Sequence, residues 1–164
     1  MKNVFLGLGS NIGNRYENLR QALMMIGEHI GQVSSVSPVY QTEPWGFQAD
    51  TDFLNMVICV ETTLTPSGLL GRILMIESQM GRMRYPAGYS SRIIDIDILF
   101  FDNEIINHED IVIPHPRMHL RRFVMIPLNH IASDFIHPVF NRTILELLDD
   151  CKDECRVTRY PERT

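Results

Sequence analysis

Between Arg92 and Phe101 the chain runs Arg-Ile-Ile-Asp-Ile-Asp-Ile-Leu-Phe-Phe. The alternation predicts a β-strand, because successive side chains of a strand point to opposite faces. Asp95 and Asp97 then share a face, with Cα atoms about 6.5–7 Å apart. Ile94, Ile96, Ile98 and Phe100 are expected on the other face. Two carboxylates in the middle of an apolar strand are costly unless something compensates them. A pair of Mg²⁺ ions would do so, since magnesium takes oxygen ligands from one or two carboxylates plus substrate phosphates. Two such ions about 3.5–4 Å apart clamp a group in transfer. The alternative is a solvent-facing strand whose aspartates are simply hydrated.

The segments around this strand limit its setting. Asn3 to Leu8 reads as a short buried strand, broken by Gly9-Ser10-Asn11-Ile12-Gly13-Asn14. Arg15 to Ile30 reads as a helix, with Leu19, Leu23, Ile26 and Ile30 on one stripe. Asn14 serves as its N-cap, with Glu17 three residues on. Val33 to Gln41 is β-rich but holds Pro38, so it predicts an edge strand or two short pieces. A turn at 42–46 and a loop to Asp52 precede a strand over Phe53 to Thr62. Pro66 suits the first position of a second helix that runs to about Met80 and ends at Gly81.

Residues 82–91 read as a loop with Pro86 and Gly88. Beyond Phe101, a turn at Asp102-Asn103 leads into Glu104 to Asn107, and Ile111 to Ile113 is a short strand. Residues 114–122 are irregular, Phe123 to Pro127 reads as a strand, and Leu128 to Ala132 as a helical turn. Thr143 to Leu148 is a last helix, and the charged tail over about 150–164 is expected to fray. The order β-α-β-β-α-β predicts a ferredoxin-like α+β sandwich, mainly antiparallel, with appended strands and short helices. With 164 residues and no repeat, low-complexity segment or linker, a single domain over 1–164 is expected.

Composition matters through its cations. Of 15, 13 are arginine; only Lys2 and Lys152 are lysine. A Walker A loop is excluded, because no lysine follows a glycine. A protein kinase is excluded, because no lysine between Lys2 and Lys152 can occupy its early strand. Phosphoryl chemistry here must use arginine and metal, and arginine's rigid fork suits phosphate. The net charge of -5 argues against a nucleic-acid partner. The three cysteines, Cys59, Cys151 and Cys155, make no disulfide framework. No apolar run approaches 18 residues, and Val4 to Leu8 is too short for a signal peptide. A cytoplasmic setting is expected, with no membrane and no obligate protein partner.

Arg82, Arg84 and Arg92 lie in or beside the loop before the aspartates, and Arg117, Arg121 and Arg122 follow later. Phosphoryl transfer depends on positioning and on charge stabilisation by metal and arginine. His115 and His119 have the i, i+4 spacing of zinc ligands, but no acidic residue lies between them and Pro116 interrupts the helix start. A hydrogen bond from His115 to phosphate or nucleoside fits better. Gly7-Leu8-Gly9-Ser10-Asn11-Ile12-Gly13 approaches a dinucleotide fingerprint, with its third glycine one position late. Trp45, Phe53, Phe123 and the Asn55 amide would make a flat aromatic pocket, with core packing as the alternative for each aromatic. From the residues alone, a metal-dependent phosphoryl-transfer enzyme leads. A non-catalytic ligand-sensing module and a dinucleotide-binding fold remain as alternatives.

The same residues resemble a known family. The pieces are Gly9-Ser10-Asn11, Thr42-Glu43-Pro44 with Gly46, Phe53-Leu54-Asn55, and Glu77 through Gly81-Arg82 to Arg84. Arg92 with Asp95-Ile96-Asp97, Pro114-His115-Pro116-Arg117-Met118 and Arg121-Arg122-Phe123 follow in order. Together they resemble 6-hydroxymethyl-7,8-dihydropterin pyrophosphokinase, a folate-biosynthesis enzyme. The resemblance implies transfer of diphosphate from ATP to the pterin hydroxymethyl group, with release of AMP. It implies two Mg²⁺ on Asp95 and Asp97, and catalytic arginines at Arg82 and Arg92. It implies pterin contacts from Thr42, Pro44, Trp45, Phe53, Asn55 and Phe123, and ATP contacts from Glu77, Arg84, Ile98, His115 and Arg121. The family pattern is not matched at Gly88-Tyr89-Ser90-Ser91, where a basic residue and Gly-Pro or Ala-Pro are common and tryptophan often replaces Tyr89. Nor is it matched at Leu120, where a charged residue is usual.

Overall fold

A computed structural model describes residues 1–42, 52–81 and 93–161. Strand β1 (Lys2–Ser10) leads to helix α1 (Arg15–His29). The Asn14 side chain accepts the Glu17 N–H at 3.2 Å, satisfying a donor that the helix start leaves open. β2 (Gln32–Val36) and β3 (Tyr40–Thr42) are the two short pieces that Pro38 demands. Both pair with β4 (Phe53–Thr62). Helix α2 (Pro66–Gln79) starts on Thr65, whose hydroxyl accepts the Gly68 N–H at 3.1 Å. Gly81, at φ 85°, follows its last turn. β5 (Asp95–Phe101) completes the β-α-β-β-α-β core.

The sheet order is β5-β1-β4-β3-β8, where β8 is Val157–Arg159, with β2 also on β4. Its pairings are antiparallel. β1 lies between β4 and β5, so the β4-α2-β5 crossover skips one strand, as the ferredoxin-like reading requires. An antiparallel sheet also removes the dinucleotide reading of Gly7 to Gly13, which needs parallel strands. One sheet face carries Leu6, Leu8, Ile58 and Ile96 against Leu19, Ile26, Ile73 and Ile76 of α1 and α2. The other carries Phe5, Val57, Leu99 and Phe100 beneath α3 (Arg122–Ala132) and α4 (Ile144–Asp149). The result is three layers, helix-sheet-helix. β6 (Ile106–Asn107) and β7 (Val112–Ile113) form a separate hairpin. Among the described residues, no helix is long and apolar enough to cross a membrane.

Three expectations need correction. Phe100 does not share a face with Ile94, Ile96 and Ile98. The β1–β5 register shifts where Phe5 faces Phe100 and Leu6 faces Ile98. Leu99 is the extra residue of this bulge, and the alternation reverses beyond it. Phe100 therefore packs on Phe5 and Phe135, with ring centroids 6.0 and 4.6 Å apart. Second, residues 123–127 are helical, not a strand. Val124, Met125, Pro127 and Leu128 are buried at helical spacing, a pattern that a short apolar run hides. Third, the tail does not fray throughout: β8 (Val157–Arg159) pairs with β3.

Candidate active site

The site grows from one cross-strand row. Gly9 on β1 stands opposite Asn55 on β4 and opposite Asp95 on β5. Residues directly opposite share a face, and neighbouring strands lie about 4.8 Å apart. Asp95 and Asn55 thus face the same side, with Cα atoms about 10 Å apart across Gly9. In the next row Asp97 faces Gly7. Both carboxylates are half-buried, and each has a glycine as its cross-strand neighbour. A Cβ on Gly9 would come within 2.8 Å of Asn55 Oδ1 and 3.6 Å of the Phe53 ring. The absent side chain makes the floor on which the carboxylate and the amide stand. From the sequence, Gly9 belongs to the break after Leu8, to the dinucleotide-like glycine run and to the Gly9-Ser10-Asn11 piece, none of which places it beneath the site. The missed signal was a Gly-x-Gly inside a strand, which marks close approach of another group.

On the amide side, Asn55 Nδ2 donates to Thr42 Oγ1 at 2.7 Å, and both residues are buried. Phe53 is paired with Thr42 across the β3–β4 ladder and is half-buried. Phe123 sits in the first turn of α3, with the Arg121 guanidinium 5.7 Å from its ring centroid, in cation–π range. Arg121 itself is only 6% exposed, so its charge is held in a low-dielectric setting.

On the carboxylate side, His115 follows the cis Ile113–Pro114 bond by one residue. Its N–H donates to the Leu99 carbonyl at 3.0 Å, tying it to β5. Its Nδ1 accepts the Arg117 N–H at 3.2 Å, which places the ring proton on Nε2. Burial pushes the imidazole down to about 4, helped by the Arg121 and Arg117 charges and opposed by the Asp95 carboxylate. At neutral pH it is an uncharged donor. Glu77 Oε2 accepts the Ile96 N–H at 3.0 Å, on the edge strand β5. Ile98 packs against the α1–α2 core. Glu77 and Ile98 thus lie on the α1–α2 side of β5, while Asp95 and Asp97 face the α3–α4 side, where the Asp95 charge reaches His115. His119 turns away to meet Phe140 edge-on at 4.7 Å, so the two histidines do not act as an i, i+4 pair. Pro44, Trp45, Arg82, Arg84 and Arg92 lie outside the described residues.

The chain is similar to proteins of one family. Residues 5–133 match the family profile described as 7,8-dihydro-6-hydroxymethylpterin-pyrophosphokinase. The 2-amino-4-hydroxy-6-hydroxymethyldihydropteridine pyrophosphokinase of Bacillus subtilis (strain 168) is 41% identical over 135 residues, 81% of this chain and 80% of that one. Its Aquifex aeolicus counterpart is 37% identical over 147 residues, 89% of this chain and 90% of that one. In fold, the chain resembles a crystal structure of Plasmodium falciparum HPPK-DHPS with TM-score 0.75 at 19% identity. That match covers 92% of this chain but 43% of the other. The chain belongs to the 7,8-dihydro-6-hydroxymethylpterin-pyrophosphokinase family, and its activity is transfer of diphosphate from ATP to the hydroxymethyl group of the dihydropterin.

Proposed function

We propose that the row Asp95-Gly9-Asn55 divides this reaction into a metal–phosphate half and a pterin half. The observation that carries the reading is that Gly9 holds Asn55 and Asp95 on one face with no side chain between them. Asp95 and Asp97 would hold two Mg²⁺. Two same-face carboxylates, half-buried and beside glycines, suit a hard cation that takes its other oxygens from water and phosphate. Among the described residues no three His, Cys, Asp or Glu side chains form a closed cage. When bound, such ions neutralise and orient the triphosphate.

The remaining roles follow from the chain's own groups. The pterin would lie between Phe53 and Phe123, offset-stacked on both rings. Asn55, its amide oriented by Thr42, would read the pterin edge with one donor and one acceptor. The strand end at Thr42, with Pro44 and Trp45 beyond it, would line the same edge. His115 Nε2–H and the Arg121 guanidinium would contact ATP, with Glu77, Ile98 and Arg84 on that side. Neutral His115 donates a hydrogen bond without adding charge, while Arg121 supplies charge that water does not screen. Arg82 and Arg92 would bring further positive charge to the transferring group, where arginine acts most strongly in the transition state.

The test is turnover of ATP and the hydroxymethyl dihydropterin with Mg²⁺, scoring AMP against ADP. AMP is expected. Asp95→Asn and Asp97→Asn should each abolish Mg²⁺-dependent turnover without lowering the melting temperature. Near-normal rates in both would remove the metal role.

A further inference from the structure

The chain beyond α4 folds back over the site's framework. Asp153 Oδ2 accepts the Arg122 N–H at 3.0 Å, and its Oδ1 accepts the Cys155 N–H at 2.9 Å. The Arg122 guanidinium returns a bond to the Cys155 carbonyl at 3.2 Å. Val157–Arg159 then pairs with Tyr40–Thr42, and the Tyr160 N–H donates to the Val39 carbonyl at 2.8 Å. The Tyr160 ring stacks on Tyr16, centroids 6.0 Å apart.

These contacts bear on α3. Its N-cap residue, Arg121, makes no side-chain capping bond. A helix start leaves several backbone N–H groups without intrahelical partners and attracts negative charge. Asp153, 31 residues further along the chain, supplies the missing acceptor at the first residue of the helix. Burial alone would raise its carboxyl. The Cys155 and Arg122 N–H groups and the Arg122 charge outweigh that and hold it below the usual 3.8. The helix start so capped carries Arg121 and Phe123. The strand that follows Asp153 holds β3, which carries Thr42.

We propose that Asp153 is a positioning residue for the pterin pocket: it fixes the start of α3, and so Phe123, relative to the Thr42–Asn55 side that β8 holds. This rests on the placement of pterin against Phe123 proposed above. The C-terminal segment is thus a strap across the two walls of one pocket, tied to the start of α3 through the Asp153 carboxylate and the Arg122–Cys155 bond.

The test uses the full chain. Asp153→Ala is expected to raise KM for the pterin about fivefold or more, with KM for ATP within about twofold. Asp153→Asn, whose one amide oxygen can still accept the Arg122 N–H while its amide nitrogen cannot accept the Cys155 N–H, should recover part of the loss and fall between the parent and Asp153→Ala. Where the alanine variant is too unstable to assay, Asp153→Ser replaces it, and its shorter hydroxyl should still raise pterin KM about threefold. A lowered melting temperature with both KM values unchanged overturns the proposal, because that is what a merely structural role produces. Phe123→Ala separates the two readings. If it leaves pterin KM unchanged, the placement of the pterin fails. If it raises pterin KM while Asp153→Ala (or Asp153→Ser) does not, only the strap fails.

Discussion

A Cβ on Gly9 would stand 2.8 Å from Asn55 Oδ1. The amide occupies its place because position 9 has no side chain, and the same gap opens toward Asp95 on the other neighbouring strand. Gly9→Ala should therefore displace the Asn55 amide and leave the strand intact. Losing one oriented hydrogen bond, about 0.5–1.5 kcal/mol, predicts a roughly twofold to tenfold weaker pterin affinity. Calorimetry with the pterin reads this directly. A melting temperature near the parent's would show that the effect is local.

The Asn55–Thr42 bond is buried at both ends. Thr42→Val keeps the shape and removes the acceptor, leaving a buried amide N–H unsatisfied at a cost of about 1–3 kcal/mol. Asn55→Ala in the Thr42→Val background should cost less than in the parent. Urea denaturation of the four proteins in a double-mutant cycle measures the coupling, expected near 1 kcal/mol.

His115 lies low partly because of the Arg121 charge, the second cause after burial. Arg121→Gln should move the His115 titration upward from about 4 toward the ordinary 6.5. The histidine ring resonances followed by NMR across pH 3–8 check it. An unmoved curve would remove the Arg121 charge as a cause.

His137 is nearly fully buried, and burial lowers it to about 4, with His119 adding to the shift. The folded state binds this proton less readily than the unfolded chain, whose value is 6.5. Stability contributed above about 6.5 is therefore lost as pH falls toward about 4. His137 Nδ1 accepts the N–H groups of Val139 and Phe140 at 3.1 and 3.2 Å. Asn at 137 offers an oxygen in a similar place and does not titrate. His137→Asn should flatten the fall in stability between pH 6.5 and 4, read by denaturant melts at several pH values.

Much of the frame was legible because local signals agreed with the tertiary fold. Asn14 capping Glu17, Pro66 opening α2 and Pro38 splitting the second β-segment all act within a few residues. The Asp95/Asp97 face followed from the two-residue period of a strand. That period failed at Phe100, because a bulge is a property of a pair of strands and leaves no mark on one. Residues 123–127 misled for a related reason. A five-residue apolar run fits a strand or one helical turn, and burial of Val124, Met125 and Leu128 under the sheet decided for helix.

The sequence by itself determined the helix starts, the carboxylate pair, and the lysine-poor cation set that leaves phosphate to arginine and metal. Tertiary structure alone decided what stands across from what. Gly9 separates Asp95 from Asn55 only in the β5-β1-β4 register, His115 becomes an uncharged donor only when buried beside Arg121, and Asp153 caps α3 only after the chain has returned across the fold. Each depends on contacts between residues far apart in the chain. Propensity and periodicity act over a few residues, and packing selects the long-range partners.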